Sequence, residues 1–144
     1  MKRNELIGIL YDNLSLGIRA KLLFRKLGYQ EIIMTNEFYN FREMVKHEKP
    51  YFLVVDLALI MKEKDSSLVD WKIPTICMTY ANLPEEMTYC TNMQSAVAYC
   101  QKPINKHFVS FIDKKVADGK YDFRKTMITN FHLSNKLTFE KYNN

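Results

Sequence analysis

The feature that most constrains the fold of this chain is a set of four short apolar runs, each of which stops at a polar residue. The runs are LIGILYDN at 6–13, YFLVVDLA at 51–58, IPTICMTYA at 73–81 and AVAYCQKPI at 96–104. A strand buried in a parallel sheet reads as a continuous apolar stretch, and ligand sites in open α/β sheets lie at the carboxyl ends of such strands. The sequence therefore predicts that Asp12, Asp56, Thr79 and Lys102 converge on one edge of one sheet.

The length of the chain sets its domain organisation. A chain of 144 residues can bury about two thirds of its unfolded surface, but it has no room for a second full domain. We predict one domain over residues 1–118 and a C-terminal extension over 119–144. The net charge of +5 comes from interspersed charges, which is a mild bias and does not indicate nucleic-acid binding.

The cysteines and the apolar pattern indicate the compartment. Cys77, Cys90 and Cys100 are odd in number and lie inside apolar patterns, which favours free thiols in a reducing environment over a disulfide framework. No apolar stretch reaches the ~18 residues that a membrane span needs, and the first apolar run is broken at Asp12. We therefore expect a cytoplasmic protein with no signal peptide and no membrane partner.

Strand and helix patterns alternate along the chain. The predicted elements after the first strand are a helix over 14–27, a strand over 31–35, a helix capped by Asn36, a strand over 52–56, a helix within 57–72, a strand beginning at Pro74, a helix from Pro84, a strand over 96–101 and a helix from Asn105. Five strand and helix pairs with short connections predict a doubly wound α/β fold. The expected architecture is a five-stranded parallel sheet of flavodoxin-like order 2-1-3-4-5.

The residue types at the strand ends fit phosphoryl chemistry. A carboxylate such as Asp56 can act as a nucleophile on a phosphoryl group if a hard cation and a lysine neutralise the charge that develops. Mg²⁺ takes an octahedral oxygen shell, and Asp12, Asp56 and the carbonyl of Ala58 could supply the protein's share. Lys102 would pair with the phosphoryl oxygens, and Thr79 would add a hydroxyl hydrogen bond.

In their order and spacing, the four runs resemble the CheY-like receiver domain of bacterial two-component response regulators. The resemblance covers about residues 4–117. It implies that Asp56 is the phosphorylated aspartate, that Thr79 closes the fourth strand of the site, and that Lys102 with Pro103 follows the fifth strand. It also implies that Tyr99 is the switch aromatic, and that the partners are a histidine kinase or phosphotransfer protein and a downstream protein.

Several positions depart from the pattern of that family. The family has two adjacent acids after its first strand, whereas this chain has Tyr11 followed by Asp12. Because charge count tunes affinity at hard-cation sites, we expect weak Mg²⁺ binding. Tyr80 stands where the family has a small residue, and Ile60 replaces a frequent proline. The stretch between Asp56 and Thr79 is also shorter than usual.

Two classes of function remain open from the sequence. The first is a receiver that accepts a phosphoryl group on Asp56 with atypical or impaired efficiency. The second is a pseudo-receiver that acts without phosphorylation as an interaction or dimerisation module. The extension over 119–144 has a net charge of +3 and interleaved aromatic and aliphatic residues, so we expect it to pack on the domain or on a second subunit. An enzyme of the flavodoxin-like class is disfavoured because no glycine-rich phosphate loop follows the first strand.

Overall fold

The computed structural model describes residues 3–63, 72–79 and 83–118, and they form five strands and five helices in strict alternation. The strands are β1 (Arg3–Leu10), β2 (Tyr29–Thr35), β3 (Phe52–Asp56), β4 (Thr75–Thr79) and β5 (Ala96–Gln101). The helices are α1 (Leu14–Lys26), α2 (Phe38–Glu48), α3 (Leu57–Met61), α4 (Pro84–Asn92) and α5 (Lys106–Asp118).

The strands form one parallel sheet with the order β2-β1-β3-β4-β5. This confirms the predicted fold class and strand order. All residues of β3 and β4 are buried, as expected for strands covered on both faces. Because the strands are parallel, their carboxyl ends lie along a single edge of the sheet, which is where the polar ends of the four apolar runs lie.

Two apolar clusters cover the two faces of the sheet. The first cluster joins the sheet to α1 and α5 through Ala20, Phe24, Phe108 and Ile112. The second joins it to the other three helices through residues that include Phe41 of α2, Ile60 of α3 and Cys90 of α4. The fold is therefore a three-layer α/β arrangement with two helices on one face and three on the other.

Several predicted boundaries hold. Gly28 follows α1 with a φ of 105°, a left-handed conformation that glycine adopts without strain. Pro84 occupies the first turn of α4 with Glu85 and Glu86 beside it, where the helix dipole favours acids. Asn105 accepts a 2.9 Å hydrogen bond from the backbone N–H of Phe108, so it is the residue that precedes α5.

Two boundary predictions were wrong. The second strand begins at Tyr29, two residues before the predicted start, because Tyr29 is buried and packs edge-on against Phe24 and Phe52. Asn36 does not cap α2, whose cap position is Glu37. Thr35 explains the shift, since its hydroxyl accepts a 3.1 Å hydrogen bond from the backbone N–H of Glu37 and closes the turn before the helix.

The third helix is short in the described part of the chain. It ends at Met61, with Leu57 and Ile60 buried. Residues 64–71 of the predicted helix range 57–72 lie outside the described residues, as do Tyr80 and the extension over 119–144. Among the helices that the structure describes, none combines the length and the apolarity that crossing a membrane requires.

The three cysteines are buried and form no disulfide with one another. Cys77 lies in the second apolar cluster with Cys90, whereas Cys100 lies in the first. Although Cys77 and Cys100 are on adjacent strands, the register pairs Cys77 with Tyr99. Burial raises the pKa of the Cys90 thiol well above its ordinary value, so it is held as an inert, protonated thiol.

Candidate functional site

The carboxyl edge of the sheet brings together the three charged site residues that the sequence indicates. Asp12 follows β1, Asp56 is the last residue of β3, and Lys102 follows β5. The Lys102 Nζ lies 2.5 Å from Asp56 Oδ2 and 3.2 Å from Asp12 Oδ1. One ammonium group therefore bridges two carboxylates that are 44 residues apart in the sequence.

Asp56 is the most enclosed member of this group. Its side chain is fully buried, and it is also the cap residue of α3, where its Oδ1 accepts a 3.1 Å hydrogen bond from the backbone N–H of Ala58. Its Oδ2 accepts the Lys102 ammonium and a 3.2 Å hydrogen bond from the backbone N–H of Asp12. A buried carboxylate needs such partners because burying it alone is costly.

Lys102 is held by both its backbone and its side chain. Its backbone N–H donates a 2.7 Å hydrogen bond to the carbonyl of Thr79, and the peptide bond to Pro103 is cis. The side chain is fully buried, and its Nζ lies 5.4 Å from the centre of the Tyr11 ring. The ammonium is therefore surrounded by two carboxylates and an aromatic face.

The two carboxylates have pKa values shifted in opposite directions. Burial raises the pKa of Asp56, with a further contribution from the charge of Asp12, while the Lys102 ammonium opposes the shift. Burial would also raise the pKa of Asp12, but hydrogen bonds with Asp56 and Lys102 and the ammonium charge lower it overall. The side chain of Asp12 is 35% exposed, whereas that of Asp56 is fully buried.

Thr79 and Tyr99 lie beside this group on β4 and β5. Thr79 is 2% exposed, and Tyr99 is completely buried in the second apolar cluster. Burial raises the pKa of the Tyr99 phenol far above its ordinary value, although a hydrogen bond with Thr79 opposes the shift. The switch role of Tyr99 stays a prediction.

Sequence reasoning missed two features of the site. Glu86, in the first turn of α4, is not among the site residues that the sequence indicates. Burial raises its pKa, the charge of Lys102 lowers it, and the charge of Asp56 raises it again, so Glu86 belongs to the electrostatic surroundings of the site. The second feature is the contact of Tyr11 with Lys102, which the alternation of Ile7, Ile9 and Tyr11 could have indicated by placing all three on one face.

Comparison with known proteins shows which solved structures share the fold of this chain. No protein-family model and no curated protein sequence matches this chain. Solved structures do match it. A CheY-like receiver domain protein from Methanospirillum hungatei JF-1 has a TM-score of 0.66 at 18% identity, covering 81% of this chain and 96% of that chain. This chain has the receiver-domain fold.

Two further receiver structures show the same likeness. The chemotaxis response regulator CheY4 of Vibrio cholerae has a TM-score of 0.62 at 13% identity and covers 79% of this chain and 99% of that chain. The receiver domain of a sensor histidine kinase from Pseudomonas aeruginosa PAO1, whose active-site cleft coordinates magnesium, has a TM-score of 0.60 at 14% identity. It covers 78% of this chain and 97% of that chain.

The donor set in this receiver fold is chemically suited to a magnesium ion. Asp12 and Asp56 share the Lys102 ammonium, so their oxygens converge, and Asp12 is open to water. No group of three or more acidic, histidine or cysteine residues able to hold a metal occurs among residues 3–63, 72–79 and 83–118. Two carboxylates with several waters are what Mg²⁺ commonly accepts. Ala58 contacts Asp56 through its N–H, and coordination by its carbonyl stays a prediction.

Proposed function

We propose that this chain is a receiver-type signalling protein of a two-component or phosphorelay system, and that Asp56 accepts a phosphoryl group from a histidine kinase or phosphotransfer protein. The observation that supports this proposal best is the 2.5 Å contact between Asp56 Oδ2 and the fully buried ammonium of Lys102. The donor set at the sheet edge and the receiver fold agree with it. The protein would act by changing its surface for a downstream partner, not by turning over a substrate.

The proposed transfer is a displacement at phosphorus. A carboxylate oxygen of Asp56 forms a bond to the phosphorus of a phosphohistidine, and the bond from phosphorus to the histidine nitrogen breaks, so that the imidazole leaves with the electron pair. The product carries more negative charge than the carboxylate. Lys102 would pair with the phosphoryl oxygens, Thr79 would donate its hydroxyl, and Tyr99 would respond to the change at Thr79.

Magnesium would support this chemistry at Asp12 and Asp56. When bound, a hard divalent cation neutralises charge on the transferring phosphoryl group. The protein's own contribution is to hold Asp56 in place with the N–H groups of Ala58 and Asp12 and to supply the ammonium of Lys102. Because Tyr11 stands beside Asp12 in place of a second acid, we expect binding in the weak range.

A phosphorylation-independent interaction module is the second candidate. The completely buried Tyr11 next to Asp12 favours this candidate. Because Tyr11 stands where the family has an acid, the site has one carboxylate fewer than the sites of the family that the chain resembles. Dimerisation through residues 119–144 would suit the same function. Cys77, Cys90 and Cys100 are buried and form no disulfide with one another, which fits a cytoplasmic setting for either candidate.

Intact-mass measurement separates the two candidates. We expect the protein incubated with Mg²⁺ and acetyl phosphate to gain the mass of one phosphoryl group, and Asp56→Asn to gain none. Asp113→Asn is the matched control, since Asp113 is a carboxylate that accepts a hydrogen bond from Tyr29 and lies on α5, outside the site. Equal labelling of Asp56→Asn would show that Asp56 is not the acceptor. No labelling of the wild type by acetyl phosphate or by phosphorylated kinase would favour the interaction module.

A further inference from the structure

Both the backbone and the side chain of Tyr11 are held in place at the start of the loop that carries Asp12. Its backbone N–H donates a 3.1 Å hydrogen bond to the carbonyl of Thr35, which extends the pairing of β1 with β2 by one residue. Tyr11 is completely buried and belongs to the apolar cluster between the sheet and α1 with α5. Its ring therefore has little freedom to move.

Gly17 on α1 explains how the ring is held. A Cβ placed at Gly17 would lie 3.2 Å from the Cβ of Tyr11 and 2.9 Å from the sulfur of Met34. The absence of a side chain at this position lets α1 approach Tyr11 closely. Such close packing leaves few alternative rotamers for the neighbouring side chain.

The ring faces a charge that is removed from water. The Nζ of Lys102 lies 5.4 Å from the ring centre, within the ~6 Å over which an ammonium is attracted to an aromatic face. The side chain of Lys102 is fully buried, and the attraction is stronger for a desolvated cation than for an exposed one. An aromatic face attracts the cation without adding a negative charge.

We infer that Tyr11 is a positioning residue, whose ring face holds the Lys102 ammonium against Asp56 and Asp12 in place of a further acid. An additional carboxylate would compete with Asp56 for the same ammonium and add repulsion. The ring instead limits the directions in which Lys102 can leave the carboxylates. In the proposed phosphotransfer, this keeps the ammonium where the phosphoryl oxygens arrive; that consequence rests on the proposed function, whereas the contact does not.

A double-mutant cycle tests the contact without phosphorylation. The variants are Tyr11→Leu, Lys102→Met and the double variant, and the readout is urea unfolding. We expect a coupling between the two positions of roughly tenfold in the unfolding equilibrium constant. The matched control is Tyr29→Leu, because Tyr29 is another buried tyrosine of the same apolar cluster and should show no coupling with Lys102. Additivity of Tyr11 and Lys102 would overturn the inference.

Graded substitution keeps the test decisive if Tyr11→Leu does not fold. Replacing Tyr11 by phenylalanine and by trifluorophenylalanine changes the charge of the ring face with little change in shape. In NMR spectra of the wild type and of Tyr11→Phe, we expect the chemical shift of the Lys102 ε-methylene protons to be moved upfield by the ring current. We expect the free energy of unfolding to fall when the ring is fluorinated. The inference would be overturned if these protons had the chemical shift of an ordinary lysine in every variant and in the wild type, or if the free energy of unfolding did not depend on fluorination.

Labelling by acetyl phosphate then separates this inference from the proposed function. We expect the rate for Tyr11→Phe to stay close to wild type and that of Tyr11→Leu to fall roughly tenfold. Coupling without any labelling of the wild type would support the positioning contact and contradict the proposed function. Labelling of Tyr11→Leu at the wild-type rate with no coupling would contradict the inference and leave the proposed function supported.

Discussion

Removal of the Lys102 charge should destabilise the protein strongly. In Lys102→Met, Asp56 keeps a fully buried side chain but loses the ammonium that compensates its charge. The contact with Asp56 is of the buried class, in which removing one partner costs about 3–5 kcal/mol. The contact with Asp12 involves a carboxylate that is 35% exposed, and pairs nearer the surface contribute only about 0–1 kcal/mol.

Asp56 retains part of its compensation in this variant. Two backbone N–H groups, those of Ala58 and Asp12, still donate to its carboxylate, so the expected loss lies near the lower end, at about 3 kcal/mol. For a chain of 144 residues, a loss of 1 kcal/mol lowers the melting temperature by about 3–4 °C. We therefore expect a decrease of about 10 °C at pH 7, measured by circular dichroism together with urea unfolding.

The loss should depend on pH in a defined direction. Burial raises the pKa of Asp56 in the folded protein, and removing the ammonium raises it further. A group whose folded pKa exceeds its unfolded pKa adds stability at low pH, and this stability is lost as the pH rises through the folded pKa. The loss of unfolding free energy in Lys102→Met, relative to the wild type, should therefore be largest at neutral pH. It should become smaller as the pH falls towards the ordinary pKa of a carboxyl group.

The double variant Lys102→Met/Asp56→Asn is the control for the buried Asp56 carboxylate, which has lost its ammonium partner in Lys102→Met. It removes the buried carboxylate as well as the ammonium, so it should be more stable than Lys102→Met alone at pH 7. The reasoning would be refuted if Lys102→Met cost less than about 1 kcal/mol, or if the double variant were no more stable than the single one.

Three other perturbations test the site, the core and the extension. Tyr11→Asp places a carboxylate beside Asp12 and should tighten Mg²⁺ binding in calorimetry, whereas unchanged binding would show that position 11 does not reach the metal. Gly8→Ala should lower stability by about 1–3 kcal/mol in urea unfolding, because the added Cβ would lie 2.3 Å from the Cε of Met44 while Leu53 and Phe41, at 3.1 and 3.3 Å, close the other directions; a neutral effect would mean that Met44 repacks freely. Deletion of residues 120–144 should lower the melting temperature or dissociate a dimer in light scattering, and no change in either would contradict packing of the extension.

The strand order and the location of the site could be predicted from local pattern. The apolar runs that end in Asp56 and Thr79 are long enough to be read as buried strands, and both strands are fully buried. Helix starts with a distinct chemical signal were also predictable, as at Pro84. The start of β2 and the cap of α2 were not, because they depend on the packing of Tyr29 and on the hydroxyl of Thr35.

The part played by each site residue depended on distances that no pattern contains. By itself, the sequence determined that Asp12, Asp56 and Lys102 share one edge, because apolar runs form parallel strands and parallel strands end on the same side. Only the tertiary structure decided that one ammonium bridges both carboxylates and that Tyr11 lies within reach of it. The physical reason is that strand formation follows from neighbours in the chain, whereas ion pairs and ring contacts depend on ångström-scale distances set by the packing of the whole domain.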